Sequence, residues 1–445
     1  MAYRKEYKAI ILLGLPILLG QLGSIVTGFV DNMMVGHYST EALAAASFCN
    51  NVFNMAILAC MGFTMGLTPL VGALFSGARS HDIGATLRNG VWLNVLFCLG
   101  VMAVMTVLYF NVHRLGQPAE LLLLIRPYFL TCLAGMLPLT LFNVFAQWSY
   151  GINNTSMPMW IILGANVLNV AGNYALIFGH FGLPELGLTG AGLSTMFARL
   201  VCAVSIVALF AWRRSYRPYR RGYSATRISR RAMARVWHTS LPVSLQMAFE
   251  TGAFSLAAVM CGVLGKIPLA AFQIIVITGT LGFCIYYAIG AAVAVRVANA
   301  KGRGDIAGMR HTAWAGYHVL LVIMVMSSLT FIFFGRDIMG AFTNDPVVLA
   351  CATSLIFPLV LYQLGDATQI NFANALRGTA NVRPMLWIAF FSYMVVGLAA
   401  TYLLGFTAGM GVYGIVLSFS VSLFMAAALF LLFFLRTTRA LPGKL

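Results

Sequence analysis

The chain has 445 residues, of which 60% are hydrophobic and 9% charged, with a net charge of +17. A soluble domain carries roughly 25% charged residues, so this balance excludes a soluble globular protein and places the chain in a bilayer. The eight cysteines are dispersed through apolar segments without a C-x-x-C pair. They read as buried free thiols, with no disulfide framework and no zinc site.

A helix needs roughly 20 apolar residues to cross the bilayer core. Twelve such segments follow one another, near 9–36, 47–76, 90–110, 122–147, 158–180, 188–211, 236–263, 268–298, 312–334, 347–374, 384–406 and 411–435. The basic start, Met1 to Lys8, precedes an apolar run that is too long for a signal peptide and lacks a small-residue cleavage site. It reads as a first span with its N-terminus inside. Short breaks carrying Gly, Pro, Asn and charge separate the spans, as at 77–82, 116–118 and 344–346.

With the N-terminus inside, 23 basic residues, Lys444 among them, fall at inside ends and four at outside ends (Arg114, Arg126, Lys266, Arg336). Arg199 alone falls within a span. This asymmetry fixes the orientation, with both termini cytoplasmic in a cell (inner) membrane. The largest inside group is the stretch 213–235, which holds nine arginines and no acid. In isolation a basic run with interleaved tyrosines reads as a nucleic-acid patch. Between two series of spans it reads as a cytoplasmic linker, and no nucleic-acid partner is expected.

The two halves repeat. Leu15-Pro16 answers Leu241-Pro242, and Ala42–Ala45 answers Pro268–Ala271, both at a separation of 226. Gly151 with Pro158 answers Gly378 with Pro384. The expected fold is therefore an all-α integral membrane protein of twelve transmembrane helices in two six-helix bundles. Six crossings per half give both bundles the same direction, related by a pseudo-two-fold along the membrane normal. The expected division is an N-lobe at 1–212, a basic linker at 213–235 and a C-lobe at 236–445. Duplicated bundles can rock between inward-open and outward-open states, which favours a transporter over a channel or membrane enzyme. There is no Walker A loop, G-x-S-x-G or H-E-x-x-H sequence, and the seven histidines lack metal-ligand spacing. No catalytic residue and no cofactor are expected; the partners are the lipid bilayer and small cationic or amphipathic molecules, and the protein is expected to act as a monomer.

Eleven acids occur, and three lie within spans: Asp31, Glu250 and Asp366. An ionised carboxylate in hydrocarbon costs on the order of 2.5–3.5 kcal/mol or more. It is retained where it faces a cavity, takes up a proton, binds a cation, or pairs with polar neighbours inside the bundle. A carboxylate site of this kind can exchange H+, Na+ or a cationic substrate, so Glu250, Asp366 and Asp31 are the candidate Na+ positions. Asn166, Asn169 and Asn173 share one helical face, and their carbonyl oxygens can complete a hard-cation shell or bond between helices. Tyr362, Asp366 and Gln369 share another face, as do Gln246 and Glu250. Met33, Phe249 and Tyr286, with Met247, Phe254 and Tyr287, are weaker candidates to line a cavity for planar lipophilic cations.

Several stretches resemble multidrug and toxic compound extrusion (MATE) transporters. They are Leu13–Gln21, Val30–Gly36 and Leu43–Ala46; then Asn169–Gly179 and Gly187–Gly192; then Asp366–Ile370 with Ala375–Gly378 and Pro384. The resemblance covers essentially the whole chain, duplication included. It implies an antiporter that exports organic cations against Na+ or H+. By position, Glu250, Asp366 and Tyr362 match the C-lobe cation site of the NorM-type branch, and Asp31, Asn169 and Asn173 match the N-lobe site. In the DinF-type branch the position of Asn173 tends to be acidic and the C-lobe acids are absent, so the pattern here favours the NorM type. A lipid-linked oligosaccharide flippase of the wider superfamily would present bases in its cavity. A narrow-specificity metabolite exporter would share the fold.

Overall fold

The computed structural model describes residues 2–115 and 118–440, in which helices form and no strand occurs. Gly116 and Gln117 of the break expected at 116–118, and Lys444 among the inside charges, lie outside the described residues. The first half runs α1 (Ala2–Tyr38), α2 (Thr40–Met65), α3 (Leu67–Ser76), α4 (Ser80–Phe110), α5 (Ala119–Ala134), α6 (Met136–Gly151), α7 (Ser156–Phe178) and α8 (Gly187–Trp212). A short linker helix, α9 (Arg217–Ala225), follows. The second half runs α10 (Arg230–Leu264), α11 (Lys266–Gly302), α12 (Ile306–Gly340), α13 (Pro346–Ser354), α14 (Ile356–Gly378), α15 (Arg383–Ala389), α16 (Leu398–Tyr402) and α17 (Gly411–Ala440). Two π-helical stretches, Phe390–Gly397 and Leu403–Thr407, flank α16. Eleven spans are long and apolar enough to cross a bilayer, and twelve when α13 and α14, bent by 45°, count as one. Each of the twelve segments expected from the sequence has its helix.

The interruptions follow from proline chemistry. A proline inside a helix removes the hydrogen bond to the carbonyl four residues earlier and clashes with it. Pro69, Pro138 and Pro358 stand four residues after Met65, Ala134 and Ser354, where α2, α5 and α13 end. Pro16 and Pro242 are instead carried within α1 and α10.

Packing divides the chain into two units. The first is Leu19–Ser244, and the second comprises the described residues of Met1–Leu18 and Leu245–Leu445. Both divisions fall two residues beyond a proline, Pro16 or Pro242, at the repeat spacing of 226. The boundaries thus lie inside α1 and α10 rather than at the 213–235 linker, because the missing proline bond is the weak point of each helix. In the second unit the start of α1 is held by Glu6, whose carboxylate accepts from Arg296 at 2.6 and 3.2 Å and from Thr312 Oγ1 at 3.2 Å.

The linker is ordered against the first unit. Buried Tyr216 and half-buried Tyr219 set their rings 5.0 and 5.8 Å from Trp148. Arg88 of α4 donates to the carbonyls of Tyr223, Ser224 and Thr226 at 3.0, 3.1 and 2.7 Å. Burial raises the Tyr219 and Tyr223 phenols above their ordinary value of 10.0. Two glycines permit the contact: a Cβ on Gly84 would strike the Tyr219 carbonyl, and one on Gly222 the His81 carbonyl. Gly84→Val is therefore expected to destabilise the protein by about 1–3 kcal/mol, the usual cost of overpacking. Thermal melting in detergent checks this against Gly100→Val, where nothing lies within 4 Å of the added Cβ. Equal melting of the two variants would contradict the docking.

Candidate cation site

Each unit holds one carboxylate cluster. In the first unit α1 presents Asp31 toward buried Asn169 and Asn173 of α7. Asn173 Nδ2 donates to Asp31 Oδ1 at 2.5 Å. With its amide turned so that nitrogen faces the carboxylate, Asn169 donates to the same oxygen at 2.8 Å and accepts from Thr195 N and Oγ1 at 3.2 Å. Ser194 Oγ fixes the α7 backbone by donating to the Asn169 carbonyl at 2.8 Å. Asn173 Oδ1 is buried without a hydrogen-bond partner.

Asp31 is not the sole charge of its cluster: Arg199 of α8, the one base that the sequence places within a span, lies within electrostatic reach of it. Arg199 stands one turn beyond Thr195, and its guanidinium packs over Gly135 at the α5–α6 break, 3.1 Å from where a Cβ would sit. The sequence separation of 168 between Asp31 and Arg199 hid this pairing. Asn166 does not join the cluster: its amide packs instead beside Gly23 of α1.

In the second unit α10 carries Gln246 and Glu250, and α14 carries Tyr362, Asp366 and Gln369. The side chains of Gln246 and Gln369 lie close enough to the Glu250 carboxylate to stabilise its charge. Gln369 Nε2 also donates to Tyr393 Oη at 2.7 Å. Asp366 is 7% exposed, and the charge that bears on it is Glu250. No Lys or Arg neutralises this pair among the described residues. Gln369 Oε1 is buried without a partner. Tyr362 is buried with its ring edge-on to Phe419 at 6.0 Å, and its hydroxyl fills the space a Cβ would need on Gly279. Two carboxylates, one unpartnered amide oxygen and a phenol make an all-oxygen set of the kind hard cations take.

The weaker cavity candidates separate. Phe249 meets Phe390 edge-on at 5.5 Å beside the Glu250 turn. Tyr286 is fully buried, its hydroxyl 3.4 Å from Ser327 Oγ and within electrostatic reach of Asp366. Met33 is exposed and lies two residues from Asp31, on the opposite side of α1. Sequence reading missed Tyr393. It was legible as a polar residue within the apolar run 384–406, but its role comes from the π-helical stretch 390–397, which turns it toward Gln369.

The fold and these clusters define a multi-pass, all-α membrane protein with an intramembrane carboxylate cluster in each of two repeated units. The chain belongs to the MatE family: the family model matches residues 16–175 and again 242–403, starting 226 apart like the sequence repeat. A probable multidrug resistance protein NorM of Xanthomonas axonopodis pv. citri is 31% identical over 401 residues, covering 89% of this chain and 86% of that protein. One from Bradyrhizobium diazoefficiens is 31% identical over 444 residues, covering 98% and 95%. Among solved structures, the eukaryotic MATE transporter AtDTX14 has the same fold, with a TM-score of 0.87 at 17% identity and 99% of both chains covered. An outward-facing multidrug resistance MATE family transporter aligns with a TM-score of 0.88 at 17% identity, covering 99% of this chain and 97% of that one.

Proposed function

We propose that this protein is a secondary active antiporter, not an enzyme, that exports organic cations or drugs in exchange for Na+ or H+ by alternating access. The observation that carries this reading is the Glu250–Asp366 pair, in which buried Asp366 and half-buried Glu250 bear on one another without a basic counter-charge among the described residues. Two like charges in a poorly solvated place are costly to keep ionised. Uptake of Na+ or a proton relieves that cost, and so does a cationic substrate, so the two compete for one negative site. In the outward-open state the external cation occupies Glu250 and Asp366 and displaces the drug, and the loaded protein then returns to release the cation inside. Asp31, Asn169 and Asn173 form a second cation or proton site, partly compensated by Arg199. The membrane is the inner membrane, with both termini cytoplasmic and a single chain as the working unit. The NorM names of the relatives support the substrate class.

Transport of ethidium or norfloxacin in proteoliposomes, under a sodium gradient or a proton gradient applied separately, tests coupling. At least one gradient is expected to drive uphill drug movement that reverses when the gradient is reversed. Equal transport with neither gradient would refute antiport.

A further inference from the structure

The linker arginines divide by what they touch. Arg220 caps α8, its Nη1 donating to the carbonyls of Phe210 and Ala211 and, at 3.4 Å, of Arg213. The other eight arginines between 213 and 235 are exposed, and none forms an ion pair among the described residues. They stand on a fixed support: α9 is clamped by Arg88 and the Gly84–Gly222 contact, and the Ser229 amide donates to Asn89 Oδ1 at 3.0 Å. No acid occurs between Glu185 and Glu250 to neutralise them. Trp212, the last residue of the α8 span and neighbour of Arg213, is 82% exposed. An amphipathic aromatic ring at a span end belongs at headgroup level. Orientation during insertion needs only the charges; it does not need a docked, glycine-fitted helix to display them.

We propose that the linker is an acidic-phospholipid site, in which α9 and its flanks hold lipid phosphates against the Arg213–Arg235 face while Trp212 seats in the adjoining interface. Clustered Lys and Arg directly beside a span attract anionic headgroups, and guanidinium groups bind phosphate oxygens in pairs. Charge complementarity selects the occupant: eight uncompensated guanidinium groups at a bilayer surface meet a dense array of phosphate monoanions.

The test uses the full chain in nanodiscs doped with brominated phosphatidylglycerol or brominated phosphatidylcholine. The Trp212 signal is the difference between the parent protein and Trp212→Phe. At equal mole fraction, quenching by the brominated anionic lipid is expected to be at least about twice that by the zwitterionic one. Replacing Arg213, Arg214, Arg217 and Arg221 together by Gln should erase the preference, and replacing the same four by Lys should keep most of it. The Lys variant controls for folding, and the Gln variant still carries 19 of the 23 inside charges against four outside, so its orientation is kept. Equal quenching by both lipids, or a preference that survives the Gln substitutions, overturns the proposal. Displacement of the lipid by short duplex DNA at physiological salt would assign the patch to nucleic acid and overturn it as well. Ethidium transport is not a readout here, so failure of the antiport reading would leave this result intact.

Discussion

Asp366→Asn and Glu250→Gln are each expected to lower ethidium or norfloxacin efflux by at least about tenfold, equivalent to roughly 1.4 kcal/mol of lost interaction. Each change is nearly isosteric and keeps a hydrogen-bonding head. Glu250→Gln keeps a polar head beside Gln246 and Gln369, and Asp366→Asn retains the packing of α14. What disappears is one of the two negative charges for which Na+, H+ and the drug compete. Removing either acid also relieves the repulsion it exerts on the other, so the variants should melt at or above the temperature of the parent. Higher stability with lower efflux is the pattern expected of a charge kept for function, since a purely structural carboxylate would lose both together. Asp337→Asn, exposed at the end of α12, provides the control and should transport normally. Undiminished efflux by folded Glu250→Gln and Asp366→Asn chains would remove the pair from the mechanism.

Much of this organisation was legible before any coordinates, for physical reasons. A bilayer demands long apolar runs, so all twelve spans stood out, and duplication left Pro16 and Pro242 in register. Intramembrane acids are costly, so Asp31, Glu250 and Asp366 marked both clusters. Three helix breaks lie four residues before a proline, but Pro16, Pro127 and Pro242 sit inside continuous helices, so proline positions alone do not locate the breaks. What stayed hidden depends on tertiary contact. Arg199 reaches Asp31 only after α8 packs in the first unit, and Tyr393 reaches Gln369 only through a π-helical turn. Tyr286 and Met33 carry the right chemistry for a cavity wall, but periodicity did not show that one is fully buried and the other exposed. The exchange of helix starts between the units was also beyond reach. A proline announces a weak point in a helix, but not which neighbour claims the residues before it.

The second large effect is expected at Gly279, which no sequence argument singled out. An alanine there would drive its Cβ into the Tyr362 hydroxyl, with the ring carbon bearing that hydroxyl 3.2 Å away. Tyr362 has little room to yield, because Phe419 stands against its ring and the residue is 6% exposed. Overpacking of this kind costs about 1–3 kcal/mol, so Gly279→Ala should lower the melting temperature and displace the phenol one turn from Asp366, with efflux falling in parallel. Tyr362→Phe removes the colliding oxygen and leaves a 3.2 Å contact to the ring, which a shift of a few tenths of an ångström relieves. The double variant Gly279→Ala/Tyr362→Phe should therefore melt more than additively above the Gly279→Ala protein, the coupling expected of residues in direct contact. Transport separates the two roles of the tyrosine. If its hydroxyl helps hold the coupling ion, the double variant regains stability without regaining efflux. Recovery of both would make Tyr362 a packing residue and leave ion binding to the carboxylates and Gln369. Additive melting temperatures would show that the hydroxyl does not occupy the space above Gly279.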